Sequence, residues 1–451
     1  MTPFPPTLFA GKRYFVAGLG RNGSAVARRL LAMGAEVAVW DDNAAAREAV
    51  PDLPAQDPAN GIGMVDALIL SPGIPHHLPK PHIAAVHAKA AGIPILSDSE
   101  LLFQAVRLAG SRARFAGITG TNGKSTTTAL LAHILETAGV PVAAGGNLGI
   151  PALALPLLPD NGVYVLEMSS YMLERLQTLR FDAACLLNLS PDHLDRHGNM
   201  AGYRAAKMHI FDRQTGADTA IYGEELAGTG EALPPMPALP GGHNAQNAAA
   251  ARAMARALGV AETAIATGLQ TFPGLPHRLQ TIATINGVTY VNDSKATNAD
   301  AAARALACYE GVIWLAGGIA KAGGIESLAP YFPRVSHAIL FGRDRAQFAA
   351  TLARHNVPHT LTETLADAMA ETRKHRAQTV LLSPAAASFD QFSGFEARGD
   401  RFAELVAHQI PVIARRASDE AAHLGNAQED GLLRCARNDG SNVTNQSGRN
   451  P

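Results

Sequence analysis

Cysteine is scarce in this 451-residue chain, with three residues far apart, Cys185, Cys308 and Cys435. That scarcity excludes a disulfide framework and a cysteine-rich zinc site. An excess of charge of one sign is missing too: 38 lysines and arginines face 39 aspartates and glutamates. Nucleic-acid binders carry a basic excess or stripe, so no nucleic-acid partner is expected. No apolar run is long enough to span a bilayer. No charged segment followed by a long apolar run reads as a signal peptide. The expectation is a reduced, cytoplasmic protein with no membrane partner. Apolar side chains are plentiful, 47% of residues, which is enough to fill more than one core.

Apolar runs alternate with helical patterns through most of the chain, the pattern of parallel α/β layers. Three blocks are predicted, at 1–108, 109–274 and 275–411. In the first, strands at Tyr14–Val16, Glu36–Trp40 and Ala67–Leu70 flank a helix carrying Val26, Leu30 and Met33. In the second, strands at Arg114–Ile118, Val163–Leu166 and Ala184–Leu189 alternate with a helix around Leu130–Ala138. The third opens with a hairpin, Thr281–Ile285 and Val288–Val291, around Asn286-Gly287, a pair suited to a type I′ turn. Strands at Val312–Leu315, Ala338–Phe341 and Val380–Leu382 follow. Residues 412–451 show no apolar period and read as a disordered tail.

A strand runs into Gly120-Thr121-Asn122-Gly123-Lys124-Ser125 and then into a helix. Glycines let backbone N–H groups approach phosphate oxygens, and the helix N-terminus adds partial positive charge. Lys124 would reach the β- and γ-phosphates, with Ser125 or Thr126 on Mg²⁺. The strict phosphate-loop pattern asks for glycine at 118, where this chain has Ile118.

A second fingerprint lies earlier. Gly18, Gly20 and Gly23 follow a strand and open a helix, and Asp41 stands eighteen residues beyond Gly23. This spacing is that of a dinucleotide turn with its ribose-binding acid. Alone it would predict an NAD-dependent oxidoreductase. Any ligand with a diphosphate and a ribose suits the same turn, a nucleotide-sugar diphosphate included.

Other candidates stand at strand ends. Glu167 and His193 each follow an apolar strand, and C-terminal strand ends in a parallel sheet share one edge. With a triphosphate they would converge on Mg²⁺. The competing readings are a helix N-terminal acid for Glu167 and a loop histidine capping Asp192 or Asp195. Tyr203, Lys207 and Phe211 stand at i, i+4 and i+8 of a helical segment. A desolvated lysine there would have a lowered pKa and could take up CO₂ as a carbamate. The residues by themselves favour a lysine that snorkels to solvent. Asn244 and Asn247 either read a purine edge or mark a helix N-cap at Asn244.

The motifs taken in order resemble the Mur ligase family, from about residue 12 to about 410. The resemblance rests on 120–125, 145–149, Leu166–Ser170, Asp192–Arg196, Tyr203–Lys207 and His243–Asn247. Gly274–Arg278, Asn292–Asn298, Gly317–Lys321, Ser383–Gln391 and Phe395–Gly399 complete it. It implies three α/β domains: a Rossmann-like first domain, a central phosphate-loop ATPase domain with a mostly parallel sheet, and a Rossmann-like third. It implies a monomeric cytoplasmic ligase of the D-glutamate-adding branch. ATP would phosphorylate the carboxylate of UDP-N-acetylmuramoyl-L-alanine, and D-glutamate would attack the acyl phosphate. Lys124, Glu167, His193 and carbamylated Lys207 would serve catalysis, with Ser125, Glu167, His193 and Lys207 around two Mg²⁺ ions. Thr121, Asn122, Gly123, Lys124, Ser125, Thr126, Thr127, Asn244, Asn247, Arg278 and Asp293 would hold ATP. Gly20, Arg21, Asn22, Asp41, Asp42, Ser71, Gly73, Asn147 and His193 would hold the uridine nucleotide. Lys295, Thr297, Lys321, Ser388 and Phe395 would hold D-glutamate. This chain departs from the family in a short, proline-rich stretch between Ile221 and Gly241 and in Ala386, where relatives often have cysteine. The tail beyond about 412 has no family counterpart.

Overall fold

The alternating apolar runs become parallel strands separated by helices. The computed structural model describes residues 2–409, except 148, 227–231, 237 and 322 and the side chain of Arg21. The tail expected over 412–451 lies outside the described residues. The chain divides into two compact units, Met1–Leu275 and the residues from Pro276 onward.

The first unit holds two parallel sheets. One is built from β1 (Arg13–Ala17), β2 (Glu36–Trp40), β3 (Ala67–Leu70) and β4 (Ile95–Leu96), in the order β2-β1-β3-β4. The other is built from β5 (Arg114–Thr119), β6 (Val142–Gly146), β7 (Val163–Glu167), β8 (Ala183–Leu186) and β9 (Thr219–Tyr222), in the order β6-β7-β5-β8-β9. β3, β7 and β8 are buried along their whole length, which explains their near-continuous apolar sequences, broken only by Glu167 at the end of β7. β2 alternates buried and more exposed residues.

One core runs beneath both sheets. Leu101, Leu102, Ala105 and Val106 of the helix Asp98–Leu108 cluster with Val16 and Ile69 of the first sheet and with Phe115 and Tyr164 of the second. Phe115 stacks on Tyr164 with ring centroids 4.8 Å apart. The same helix buries Glu100, whose carboxylate accepts from the backbone N–H groups of Gln177, Thr178 and Leu179. A buried carboxylate needs such donors.

The second unit comprises β10 (Gln280–Ile285), β11 (Val288–Asn292), β12 (Val312–Gly317), β13 (Ile319–Ala320), β14 (Val335–Phe341), β15 (His359–Leu361), β16 (Thr379–Leu382) and β17 (Ala386–Ala387). Six of these form a sheet in the order β10-β11-β16-β12-β14-β15, parallel except for the β10–β11 hairpin. At the hairpin tip Asn286 and Gly287 have φ of 51° and 80°, the two positive values a type I′ turn requires. β13 and β17 pair antiparallel beside the sheet.

Candidate active site

The phosphate loop leaves β5 at the C-terminal edge of its sheet. Ile118 is a fully buried residue of the strand, paired with Glu167 and Cys185. The turn begins only at Gly120, so the strand has no use for glycine at 118. Gly120 and Gly123 have φ of 151° and 85°. A side chain on Gly123 would meet Asn247 Oδ1 at 2.1 Å, so Asn247 lies against the loop. The loop is also held from below. Asn122 N–H donates to Asn188 Oδ1 (2.9 Å), and Asn188 Nδ2 donates back to Asn122 O (3.1 Å). Thr121 N–H donates to Asn188 O (3.0 Å), and Ser190 N–H donates to Thr121 Oγ1 (3.0 Å).

Two lysines meet on this loop. Lys124 Nζ donates to the carbonyls of Gly120 and Thr121, each at 2.9 Å. Lys207 Nζ donates to the same Gly120 carbonyl at 2.9 Å, lies 3.4 Å from Thr119 Oγ1 and sits 4.7 Å over the Tyr203 ring. Lys207 is 2% exposed. Burial, then the neighbouring Lys124 charge, push its pKa down to about 7, against the pull of Asp192 and Glu167. The amine is therefore neutral in a sizeable fraction of molecules near pH 7, where an ordinary lysine is charged. The snorkelling reading is corrected: the helix Met200–Met208 packs its Lys207 face inward beside Tyr203 and Ala206. Phe211 does not share that face. The helix ends before it, and its ring packs on Tyr222.

Glu167 closes β7 on the same sheet edge and is 3% exposed. Its Oε1 accepts from Asn147 Nδ2 at 2.8 Å, and its Oε2 is buried with no hydrogen-bond partner. An unpartnered buried carboxylate oxygen suits a bound cation. Asn147 N–H also donates to Glu167 O. His193 begins the helix Leu194–His197 in a left-handed conformation, φ 51°, 5.1 Å from the Tyr171 ring. Its backbone N–H and ring nitrogen both contact Asp192, so the local Asp192 contact occurs while the ring remains exposed. No group of three or more His, Cys, Asp or Glu side chains able to hold a metal occurs among the described residues. The expected set draws instead on Ser125, which is buried at the start of the phosphate-loop helix, and on Lys207.

Asn244 and Asn247 lie on one face inside the helix Gly242–Ala257, whose N-cap is Gly241. The N-cap reading of Asn244 is therefore corrected. Asn244 Nδ2 donates to Pro240 O (2.8 Å), and Asn247 Nδ2 donates to Asn244 Oδ1 (3.2 Å). Thr126 and Thr127 are buried in the phosphate-loop helix, and Thr127 Oγ1 lacks a partner.

At the Gly18 turn the three glycines differ. A side chain on Gly18 would strike Ser71, and one on Gly23 would lie 1.7 Å from Gly18 O. Beside Gly20 there is open space. Asp41 uses both oxygens locally, on Leu19 N–H (2.6 Å) and Asn43 N–H (2.9 Å). Asp42 accepts from Trp40 Nε1 and pairs with His82. Asn22, Gly23, Ser71 and Asp98 line a small cavity under the turn.

In the second unit the expected residues follow the C-terminal ends of three parallel strands. Asp293, Lys295 and Thr297 follow β11, Lys321 follows β12 and β13, and Ser388 follows β16 and β17. Lys295 Nζ lies 5.0 Å over the Phe395 ring, Ser388 is buried and Lys321 exposed. Asp293 accepts from Ser383 Oγ (2.8 Å) and Leu279 N–H (3.2 Å). Burial raises its pKa to about 7 despite the Ser383 hydrogen bond and the Arg278 charge.

Family models match twice, as the Mur ligase middle domain over residues 118–228 and as the Mur ligase glutamate ligase domain over 277–386. The UDP-N-acetylmuramoylalanine–D-glutamate ligase of Paramagnetospirillum magneticum is 47% identical over 448 residues, covering 88% of this chain and 97% of that protein. The chain belongs to the Mur ligase family. A Caulobacter vibrioides ligase of the same name is 43% identical, covering 88% of this chain and 96% of its own. The fold of this Mur ligase is also that of a solved UDP-N-acetylmuramate–alanine ligase from Thermotoga maritima. That structure has a TM-score of 0.56 and 18% identity, with 88% and 99% of the two chains covered.

Sequence reasoning missed three residues of this Mur ligase. Asn188 braces the phosphate loop. Arg398, fully buried, donates to Ser294 Oγ (3.0 Å), Ser294 O (2.8 Å) and Ala386 O (3.0 Å). Arg175 is buried beside β3. An arginine inside an otherwise leucine-rich segment, Leu173-Glu174-Arg175-Leu176, was the available signal.

Proposed function

We propose that this Mur ligase joins D-glutamate to UDP-N-acetylmuramoyl-L-alanine with ATP as phosphate donor, a cytoplasmic step of peptidoglycan precursor synthesis. The relatives' names support the reaction, and the observation that carries its chemistry is the pair of lysines on the Gly120 carbonyl. Lys124 is positioned to turn from that carbonyl onto the β- and γ-phosphates. Lys207, buried and with its pKa lowered, is suited to carry a carbamate, which would reverse its charge. Mg²⁺ held by Ser125, Glu167, His193 and the Lys207 carbamate would neutralise the charge that builds on the transferred phosphoryl group. Asn244, Asn247, Arg278 and Asp293 are assigned to the ATP nucleotide, and Gly20, Asn22, Ser71, Gly73 and Asn147 to the uridine substrate. Lys295, Thr297, Lys321, Ser388 and Phe395 are assigned to D-glutamate, whose two carboxylates suit lysines. Catalysis is then mainly positioning and charge neutralisation.

The competing reading is a sister ligase that adds another amino acid. Phosphate release is measured with ATP, Mg²⁺ and UDP-N-acetylmuramoyl-L-alanine, offering D-glutamate, L-alanine or diaminopimelate in turn. Release dependent on D-glutamate is expected. Release dependent on either other amino acid alone would replace the proposal with the sister reading.

A further inference from the structure

The turn after the helix Ser170–Leu173 carries Arg175, a buried cation for which the chemistry above has no use. Its guanidinium donates to the carbonyl oxygens of Leu70 (2.8 Å) and Ile74 (2.7 Å), and more weakly to Ser71 (3.3 Å). Arg196, three residues past His193, donates to Gly73 O at 2.9 Å and lies 4.3 Å over the Tyr171 ring. The last carbonyl of β3 and three carbonyls of the loop that follows it are therefore held by two guanidiniums. Both arginines belong to segments that follow strands of the phosphate-loop sheet. Pro72, in the middle of the loop, has no N–H to offer a ladder. Burying a guanidinium is costly without compensating acceptors, and its planar fork of donors matches several carbonyls at once where an ammonium does not. Burial, with Arg196 nearby, lowers the Arg175 pKa to about 10, which leaves it charged at neutral pH.

The geometry points to Arg175 and Arg196 as positioning residues that fix the Ser71–Gly73 loop against the phosphate-loop sheet, setting where the acceptor carboxylate of the uridine nucleotide meets ATP. This rests on the ligase reading, in which Ser71 and Gly73 touch that nucleotide. A purely structural clamp would weaken all substrates alike or lower stability alone. A positioning clamp acts on one substrate.

The test uses Arg196→Gln and Arg175→Lys in the full chain, with calorimetric titration of UDP-N-acetylmuramoyl-L-alanine, KM for each substrate, and thermal melting. Arg196→Gln is expected to weaken nucleotide-sugar binding about tenfold, with KM for ATP and D-glutamate within about twofold of wild type and melting unchanged. Arg175→Lys is expected to do the same more strongly. If Arg175→Lys does not fold, Arg196→Gln decides alone. Unchanged nucleotide-sugar affinity in Arg196→Gln, or an equal rise in KM for ATP, overturns the inference. A wild-type chain that binds no UDP-N-acetylmuramoyl-L-alanine overturns the ligase reading itself, and the clamp's role with it.

Discussion

Two glycine-rich turns in the first unit join a strand to a helix, yet the charged side chains described around them differ. The Gly120 turn gathers two lysine side chains on one carbonyl. At the Gly18 turn the Asp41 carboxylate accepts from Leu19 N–H, and Arg47 donates to the Asp41 carbonyl. A turn that must stabilise a phosphoryl group in transit needs mobile positive charge. A turn that only seats a diphosphate can rely on backbone and helix N-terminus. In the ligase reading similar glycine spacing would serve two tasks, and the lysine pair on the Gly120 carbonyl marks the one that handles the phosphoryl group.

The sharpest way to break this comparison is to remove a lysine from the first turn. Lys207→Ala is expected to lower kcat by about 10²–10³-fold, the scale of losing one preorganised electrostatic group, with no recovery in high bicarbonate. Near-normal turnover would remove Lys207 from the chemistry. Next comes the seating turn. Gly23→Ala forces a carbon into Gly18 O and is expected to cost about 1–3 kcal/mol of stability, read by denaturant melting. Gly20→Ala meets open space, so stability should hold while KM for the uridine nucleotide rises about tenfold, roughly 1.4 kcal/mol. If both alanines behave alike, the open space beside Gly20 has no ligand role.

The smallest effect is in pH. Burial holds the Lys207 pKa at about 7 in the folded chain, against the ordinary lysine value of 10.5. Between these values the unfolded chain holds more protons, so this group's destabilising contribution is full below pH 7 and relieved as pH rises toward 10.5. Lys207→Met should melt higher than wild type at pH 6, by about 2–4 °C per kcal/mol gained, with the advantage shrinking by pH 9. A constant difference across that range would contradict the lowered pKa.

Much of the fold was legible. Glu36–Trp40 and Ala67–Leu70 are strands with the expected bounds, because short apolar runs between turn residues leave little choice. Asn286-Gly287 fixed its hairpin through two residues tolerant of positive φ. What local pattern could not show was depth. Lys207 reads as a surface lysine until the phosphate loop is packed over it, a contact 87 residues away in sequence. Asn244 reads as a cap because the true N-cap, Gly241, offers no side chain. Arg175 and Arg398 draw on carbonyls about a hundred positions away, which no helical or strand period encodes.

The paired amides of Asn122 and Asn188 have a further consequence. Together with the Thr121 and Ser190 contacts they stitch the phosphate loop to the segment after β8 before any nucleotide arrives. The loop's conformational entropy is thus given up during folding and not during ATP capture. Calorimetry of ATP binding should then show a small entropic penalty for loop ordering, and Asn188→Ala should shift that penalty into the binding step.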